Sequence, residues 1–279
     1  MPDVACVNGR FMSLAEATVS VEDRGFQFGD GVYEVIRTYQ GRPFELESHL
    51  ARLERSAQAL NIPQPYSSSK WTQHVLEGIK RAGYPEAKIY LQITRGAAPR
   101  DHAFPANATA TVVITIREFH ALSPELQNFG VSAIVINDLR WGRCNIKSVN
   151  LLANVLARQQ AKQAGVFETI LVKDGQVTEG AVSNVMAIQA GAVITPPEGP
   201  QILSGITRGL VLELARKDGI PVQERPIPQS DLFCVDELFL TGTTVEVIGV
   251  VKVNDKAIGT GRPGPITQRL ASLFRRATG

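Results

Sequence analysis

Strand-like segments occur in clusters along this chain instead of alternating one by one with helices, and this order limits the possible folds. The first half predicts hairpins of 4–7 with 10–12 and of 32–39 with 43–46, helices at 48–60 and 69–82, and strands at 87–94 and 109–116. The second half predicts a strand at 131–137, a helix at 149–164, paired strands at 167–173 and 185–188, a helix at 206–217, strands at 236–241 and 245–253, and a terminal helix at 265–276. Clustered strands favour α+β or α/β domains over a Rossmann array.

Local signals support these elements and divide the chain. Asn8-Gly9 is a hairpin turn, Ser48 is a plausible helix N-cap and Gly83 ends a helix. A chain of 279 residues suits one large or two medium domains. We predict a small N-terminal α/β domain at 1–118, an interdomain connection at 119–128 and a larger C-terminal domain at 129–279.

Composition excludes several classes of function. A net charge of +2 without a long basic run gives no general field for nucleic acid. The first residues have neither a basic start nor an apolar stretch before a cleavage site, and no apolar run approaches the ~18 residues of a membrane span. The three cysteines are far apart and show neither metal spacing nor a disulfide framework. We therefore expect a cytoplasmic protein without a signal peptide, a membrane span or a bound metal.

Lys147 lies between Ile146 and a strongly apolar stretch. Burial beside apolar side chains favours the neutral amine, because desolvation penalises the charged form. A neutral lysine amine attacks carbonyl groups, and Schiff-base formation is its usual catalytic use. An ordinary surface lysine is the alternative that the sequence leaves open here.

Three further clusters are candidates for cofactor binding. Residues 202–208 place glycine at the start of a helix, where free amides can bind a phosphate. Residues 241–244 form a polar turn after a strand, and they suit a phosphate as well. Glu179, in the stretch 177–184, could keep a pyridine nitrogen protonated. Each cluster also has a purely structural interpretation, as a capped helix, a turn or a surface glutamate. The three clusters together with Lys147 indicate a phosphorylated aldehyde cofactor.

Six motifs, taken together, carry a resemblance that covers nearly the whole chain. They are EDRGFQFGDGVYEV (22–35), TRGAAPRDHAFP (94–105), RWGRCNIKS (140–148), VTEG (177–180), GITR (205–208) and DELF (236–239). Through them the chain resembles the fold-type IV enzymes that depend on pyridoxal 5'-phosphate (PLP), also called aminotransferase class IV. It is most similar to the bacterial D-amino acid aminotransferases among them. The resemblance implies the two-domain fold of that family and a homodimer.

The resemblance also implies roles for individual residues. Lys147 matches the Schiff-base lysine, Glu179 the partner of the pyridine nitrogen, and Arg52 the phosphate-binding arginine. The other phosphate contacts match Ile206, Thr207, Gly242 and Thr243. Gly242 replaces a serine of the relatives and keeps only its amide, while Ala181 and Val182 replace serines and Pro196 replaces a histidine found in some relatives. These departures bear on cofactor affinity and rate, not on the type of reaction.

The loop at 95–105 separates the subfamilies. In the D-specific enzymes that this chain resembles, residues matching Arg100, His102 and Tyr33 bind the substrate carboxylate. The Arg100 and His102 matches lie at the active site of the neighbouring subunit. An arginine fork with two nearby donors suits a carboxylate.

The reaction implied is ping-pong transamination between a D-amino acid (D-alanine, D-glutamate or D-aspartate) and 2-oxoglutarate or pyruvate. Two enzymes of the same fold are alternatives, an L-branched-chain aminotransferase and an aminodeoxychorismate lyase. A non-catalytic PLP-binding protein is an alternative of another class.

Overall fold

Two β-sheets, one in each of two units, organise residues 3–279, the part of the chain that the computed structural model describes. Unit 1 extends to His120 and also includes Ile146–Asn150, and unit 2 comprises Ala121–Asn145 and Leu151–Gly279. The sequence assigns 146–150 to the C-terminal domain, whereas the structure groups these residues with unit 1. The predictions for the extreme N-terminus concern Met1 and Pro2, which lie outside the described residues.

Unit 1 is a six-stranded antiparallel sheet with three helices. Its strands are β1 Val4–Val7, β2 Arg10–Ser13, β3 Gly31–Tyr39, β4 Arg42–Pro43, β5 Ala87–Thr94 and β6 Thr111–Glu118, and its helices are α1 Arg24–Phe28, α2 Leu46–Ala59 and α3 Ser68–Ala82. The strand order is β2-β1-β6-β5-β3-β4. Alternate residues of β5 and β6 are buried, as expected for strands with one face on a core, and α2 and α3 cover this face.

Unit 2 is a mixed sheet with four helices. Its elements are α4 Pro124–Phe129, β7 Val131–Asn137, α5 Leu152–Gln163, β8 Glu168–Lys173, β9 Gln176–Gly180, β10 Asn184–Gln189, β11 Ala192–Thr195, α6 Ile206–Lys217, β12 Val222–Glu224, β13 Glu237–Gly242, β14 Glu246–Val253, β15 Lys256–Ala257 and α7 Pro265–Thr278. The strand order is β12-β11-β10-β13-β14-β7-β8-β9, with β15 beside β14. The β11–β12, β14–β7 and β7–β8 pairs are parallel, and the other pairs are antiparallel.

Most of the predicted elements are confirmed, and the first hairpin and the strand at 131–137 have the predicted bounds or nearly so. The strand at 43–46 is wrong beyond Pro43. Glu45 has a left-handed φ of 52°, and α2 begins at Leu46, so that Ser48 lies inside the helix. There the Ser48 hydroxyl donates to Glu45 Oε2 at 2.7 Å instead of capping the helix.

The predicted pairing of 167–173 with 185–188 is also wrong. The turn at Asp174-Gly175 joins β8 to β9, while β10 pairs with β11 and β13. Both turn residues have positive φ, 51° and 73°, which is the conformation of a two-residue hairpin turn. The nearest strand in sequence therefore takes the place beside β8.

Residues 3–279 lack two features that would indicate other classes of function. No helix in this range has the length and apolar character needed to cross a membrane. Within the same range, no cluster of three or more histidine, cysteine, aspartate or glutamate residues is arranged to hold a metal ion.

Candidate active site

Lys147 lies on an extended segment that runs beside β3 in unit 1. The Tyr33 amide donates to the Lys147 carbonyl at 2.9 Å, and the Val149 amide donates to the Gly31 carbonyl at 3.0 Å. Ile146 is buried in the core of unit 1, and the Lys147 amide donates to Ser56 Oγ at 3.3 Å. These contacts fix the backbone on both sides of Lys147, and they explain why 146–150 belongs to unit 1 and why α5 begins three residues later than predicted.

The Lys147 side chain is partly buried against an aromatic pair. Its Nζ lies 4.3 Å from the centroid of the Tyr33 ring. Tyr33 in turn stacks on Tyr90 with 5.6 Å between the ring centroids. The Tyr90 hydroxyl donates to Gln92 Oε1 at 2.6 Å, and burial, with a smaller effect of Tyr33, raises the pKa of Tyr90 to about 12. The Tyr90 phenol is therefore neutral at physiological pH.

Arg52 belongs to a buried ionic cluster on α2 and β3. Its Nε and Nη2 donate to the two carboxylate oxygens of Glu34 at 2.7 and 2.9 Å. His49 Nδ1 lies 2.7 Å from Glu34 Oε2. Burial alone would raise the pKa of Glu34, but the Arg52 charge and the hydrogen bonds from Arg52 and His49 lower it to about 2. Glu34 thus holds the guanidinium of Arg52 in one orientation.

The side chains of Arg100 and His102 are exposed on the irregular loop between β5 and β6. The Arg100 guanidinium carbon lies 4.4 Å from the centroid of the Phe28 ring, and the His102 ring centroid lies 5.3 Å from the same centroid. The structure therefore brings these two predicted site residues together on Phe28. Tyr33 has different neighbours, Lys147 and Tyr90.

In unit 2, Glu179 is a buried carboxylate at the end of β9. Its Oε1 accepts a hydrogen bond from Arg140 Nη1. Its Oε2 accepts from Asn184 Nδ2 at 2.9 Å and from the Leu203 amide at 3.0 Å. A carboxylate with a guanidinium partner and two further donors is held in a fixed position.

Arg140 is itself anchored by Asp138. Asp138 accepts hydrogen bonds from Arg140 Nε at 2.9 Å, from Arg140 Nη2 at 2.7 Å and from Thr178 Oγ1 at 2.7 Å. Burial would raise the pKa of Asp138, but these hydrogen bonds and the Arg140 charge lower it. Burial likewise opposes the charge on Arg140, yet Asp138 and Glu179 raise its pKa above the ordinary value. Asp138, Arg140 and Glu179 thus form two consecutive ion pairs, in which Asp138 orients Arg140 and Arg140 orients Glu179.

The start of α6 is free of a side-chain cap. Gly205 occupies the N-cap position and has no side chain to accept a hydrogen bond from the first turn. A Cβ atom at Gly205 would lie 2.0 Å from Asn184 Oδ1, so only glycine lets Asn184 lie against the helix start. Ile206 and buried Thr207 follow directly. The first-turn amides and the Thr207 hydroxyl are donors suited to an anion.

Asn184 joins the three candidate parts of unit 2. Its side chain bonds to Glu179 and touches the position of Gly205, and its backbone pairs in register with Thr241 at the end of β13. Gly242 ends β13, and the partly buried Thr243 begins the turn that follows. The ring-nitrogen candidate and both phosphate candidates therefore lie around one residue.

Some predicted residues lie elsewhere in unit 2. The Pro196 carbonyl accepts a hydrogen bond from Arg208 Nη2 at 2.9 Å, so it holds the first turn of α6 in place. Ala181 is buried and Val182 is exposed. Next to them, the hydroxyl of Ser183 donates to the buried Glu168 at 3.0 Å.

Sequence reasoning gave no role to several residues that the structure places in contact with predicted ones. These are Asp138, Arg140, Asn184, Tyr90, Phe28 and Glu34. Two signals were present in the sequence. Tyr90 and Gln92 alternate on a strand and so share a face, and Asp138 and Arg140 follow directly after a strand.

The donor groups match the functional groups of PLP. Unit 1 offers a partly buried lysine amine, which reacts with an aldehyde. Unit 2 offers a fixed carboxylate, which pairs with a pyridinium N–H, and a helix start with the Thr207 hydroxyl, which suits a phosphate dianion. The residues present therefore fit this cofactor.

Comparison with known proteins gives the same assignment. The family model of amino-transferase class IV matches residues 31–253. D-alanine aminotransferase from Bacillus licheniformis is 43% identical over 270 residues, which cover 97% of this chain and 95% of that protein. The structure of the branched-chain amino acid aminotransferase from Escherichia coli is similar with a TM-score of 0.92 and 29% identity, and it covers 100% of this chain and 97% of that one. The PLP form of the branched-chain aminotransferase from Thermobaculum terrenum has a TM-score of 0.86 and 28% identity, covering 99% and 94%.

The chain belongs to the aminotransferase class IV family. This confirms the predicted family, the fold class and PLP as the cofactor. The roles of the individual residues stay predictions.

Proposed function

We propose that this chain transfers the amino group of a D-amino acid to a 2-oxo acid in a ping-pong reaction, with Lys147 as the Schiff-base lysine. The chain is a PLP-dependent aminotransferase, as its family and its relatives establish. D-Alanine, D-glutamate and D-aspartate are the proposed donors, and 2-oxoglutarate and pyruvate are the proposed acceptors. The observation that carries the choice of D-substrates is the convergence of Arg100 and His102, the two expected carboxylate ligands of the D-specific enzymes, on the ring of Phe28.

Each group of residues has a proposed task toward PLP. Bound PLP supplies the electron sink for the substrate α-carbon and carries the amino group between the two half-reactions. The Glu179 carboxylate, fixed by Arg140 and Asn184, holds the pyridine nitrogen. The proposed phosphate ligands are Arg52, Ile206, Thr207, Gly242 and Thr243. Unit 2 is accordingly proposed as the PLP-binding domain, with 119–128 as the connection to the N-terminal domain.

Lys147 is proposed to move the proton at the substrate α-carbon. Its backbone is fixed on both sides, and its Nζ lies beside the Tyr33 ring. The amine takes the proton from the α-carbon and returns one in the second half-reaction. The Tyr33 ring lies against this amine, and the Tyr90 phenol that stacks on Tyr33 carries no charge at physiological pH.

Tyr33, Arg100 and His102 are proposed to bind the substrate carboxylate. Arg100 and His102 are exposed in the described chain, and we propose that they complete the active site of the partner subunit in a homodimer. A guanidinium fork beside an imidazole fixes a carboxylate through charge-assisted hydrogen bonds. Fixing the carboxylate on one side decides which enantiomer presents its α-hydrogen to Lys147.

An L-branched-chain aminotransferase is the second candidate. It is favoured by the solved structures, since branched-chain aminotransferases match the whole chain with TM-scores up to 0.92. The identity to them is 29% or less, against 43% to the D-alanine enzyme.

We also propose a cytoplasmic location, since Cys6, Cys144 and Cys234 are unpaired.

Steady-state kinetics with D-alanine and 2-oxoglutarate test the proposal. We expect turnover with D-alanine, none with L-leucine, and no turnover in Lys147→Ala. Arg100→Ala should raise the KM of D-alanine at least tenfold, since it removes a charged hydrogen-bond partner. Arg81→Ala is the matched control, because Arg81 is an exposed arginine of unit 1 whose ion pair is with Glu77. Turnover with L-leucine alone would assign the second candidate instead.

A further inference from the structure

Phe28 is the common neighbour of the two proposed carboxylate ligands. Its ring is contacted by the guanidinium of Arg100 at 4.4 Å and by the imidazole of His102 at 5.3 Å, both measured to the centroid of the Phe28 ring. The residues before and after Arg100 are in irregular backbone, so no secondary structure holds these side chains. A cation over an aromatic face is an attractive contact with a preferred geometry. Phe28 therefore restricts where both side chains lie.

Arg24, one turn before Phe28 on α1, holds the backbone of the same loop. Arg24 is buried, and its Nη1 and Nη2 donate to the carbonyl groups of Asp101 and His102. Its guanidinium carbon lies 4.8 Å from the centroid of the Phe28 ring. The planar fork thus binds two consecutive carbonyl groups of the loop while Phe28 contacts the side chains.

Asp30 fixes both Arg24 and the beginning of the loop. Its carboxylate accepts from Arg24 Nε at 2.8 Å and from Arg95 Nε and Nη2 at 2.8 and 3.0 Å. Arg95 also donates to the carbonyl groups of Leu60 and Asn61, which follow α2. Asp30 therefore holds the loop directly at Arg95, and it holds the carbonyl groups of Asp101 and His102 indirectly through Arg24.

We propose that Phe28 and Arg24 are positioning residues for the substrate carboxylate: Phe28 orients the side chains of Arg100 and His102, and Arg24 fixes the backbone that carries them. This inference rests on the proposed role of Arg100 and His102. Neither positioning residue needs to touch the substrate. Their loss leaves the carboxylate ligands present but mobile, so substrate binding weakens while the chemical step at Lys147 continues.

Kinetics of Phe28→Leu test the inference, with Phe26→Leu as the matched control. Phe26 is on the same helix and is 75% exposed. We expect Phe28→Leu to raise the KM of D-alanine and of 2-oxoglutarate about fivefold to tenfold, the size of a lost cation–π contact, with kcat changed less than twofold. Phe28→Tyr keeps the aromatic face and should restore both KM values. PLP absorbance and thermal stability, measured for every variant, should match those of the parent.

The outcomes distinguish a failure of this inference from a failure of the proposed carboxylate role of Arg100 and His102. Equal KM values for Phe28→Leu and Phe26→Leu, while Arg100→Ala raises KM, would overturn the inference and leave the function standing. Unchanged KM in Arg100→Ala would overturn the proposed carboxylate role itself. Arg24→Lys decides the question if Phe28→Leu does not fold. Lysine keeps the charge near Asp30 and loses the fork, so a raised KM supports the inference and an unchanged KM contradicts it.

Discussion

Replacing Glu34 with glutamine tests whether the buried ionic cluster of unit 1 stabilises the fold. Glu34 is fully buried and pairs with both Arg52 and His49. Its pKa falls from 4.5 to about 2 on folding, which corresponds to about 3 kcal/mol at about 1.4 kcal/mol per pKa unit. Glutamine removes the charge and turns an amide donor toward Arg52. We expect Glu34→Gln to lower the free energy of unfolding by about 3 kcal/mol at pH 7.

The pH dependence follows from the direction of the pKa change. A lowered pKa in the folded state gives stability that is present above pH 4.5 and is lost as the pH falls toward 2. At pH 3 the difference between wild type and Glu34→Gln should therefore shrink to about 1 kcal/mol. Urea unfolding at fixed protein and PLP concentrations measures this difference at both pH values.

Glu77→Gln is the matched control for Glu34→Gln. Glu77 pairs with Arg81 at 2.7 Å on the exposed face of α3. An exposed pair of this kind contributes less than about 0.5 kcal/mol. A loss below 1 kcal/mol for Glu34→Gln at pH 7, or a loss that does not shrink at pH 3, would refute the reasoning.

Two further predictions concern the residues around Glu179. Asp138→Asn should raise the dissociation constant of PLP about tenfold, because Arg140 loses charged hydrogen bonds that orient it toward Glu179. Equilibrium dialysis measures this constant. An unchanged constant would contradict the proposed effect of Asp138 on Glu179 through Arg140. Gly205→Ala should weaken PLP binding and lower the free energy of unfolding by about 2 kcal/mol, since its Cβ meets Asn184 Oδ1 at 2.0 Å. Gly209→Ala on the same helix meets no atom within 4 Å and should instead stabilise by up to about 1 kcal/mol. Equal effects of the two alanines would contradict the close approach at Gly205.

The elements that sequence reasoning predicted well carry their signals locally. The strand at Val131–Asn137 is a short apolar run rich in β-branched residues, and α3 has a serine cap at its start and a left-handed glycine at its end. The failures have two different causes. The turn at 174–175 is a local signal, but it joins β8 to the short strand β9 and not to the more apolar segment at 185–188. The early start of α2 depends on a tertiary contact, since Leu46 packs on the core of unit 1.

The same distinction holds for the candidate site. The sequence points to Lys147 and Glu179 because both lie in motifs that match those of a known family, and their roles stay predictions. Arg140, Asn184 and Phe28 contact Glu179, Gly205 and Arg100, respectively, and each of these contacts joins segments that are apart in sequence. Their side chains have many ordinary uses, so no local pattern marks them before the fold is known.

Half-reaction spectra of the purified enzyme test the central claim most directly. D-Alanine is added without an acceptor to one sample and L-leucine to another, under anaerobic conditions, and the visible absorbance of the bound PLP is recorded. We predict that D-alanine alone removes this absorbance. Loss of absorbance with L-leucine alone would contradict the assignment of the enzyme to D-amino acids.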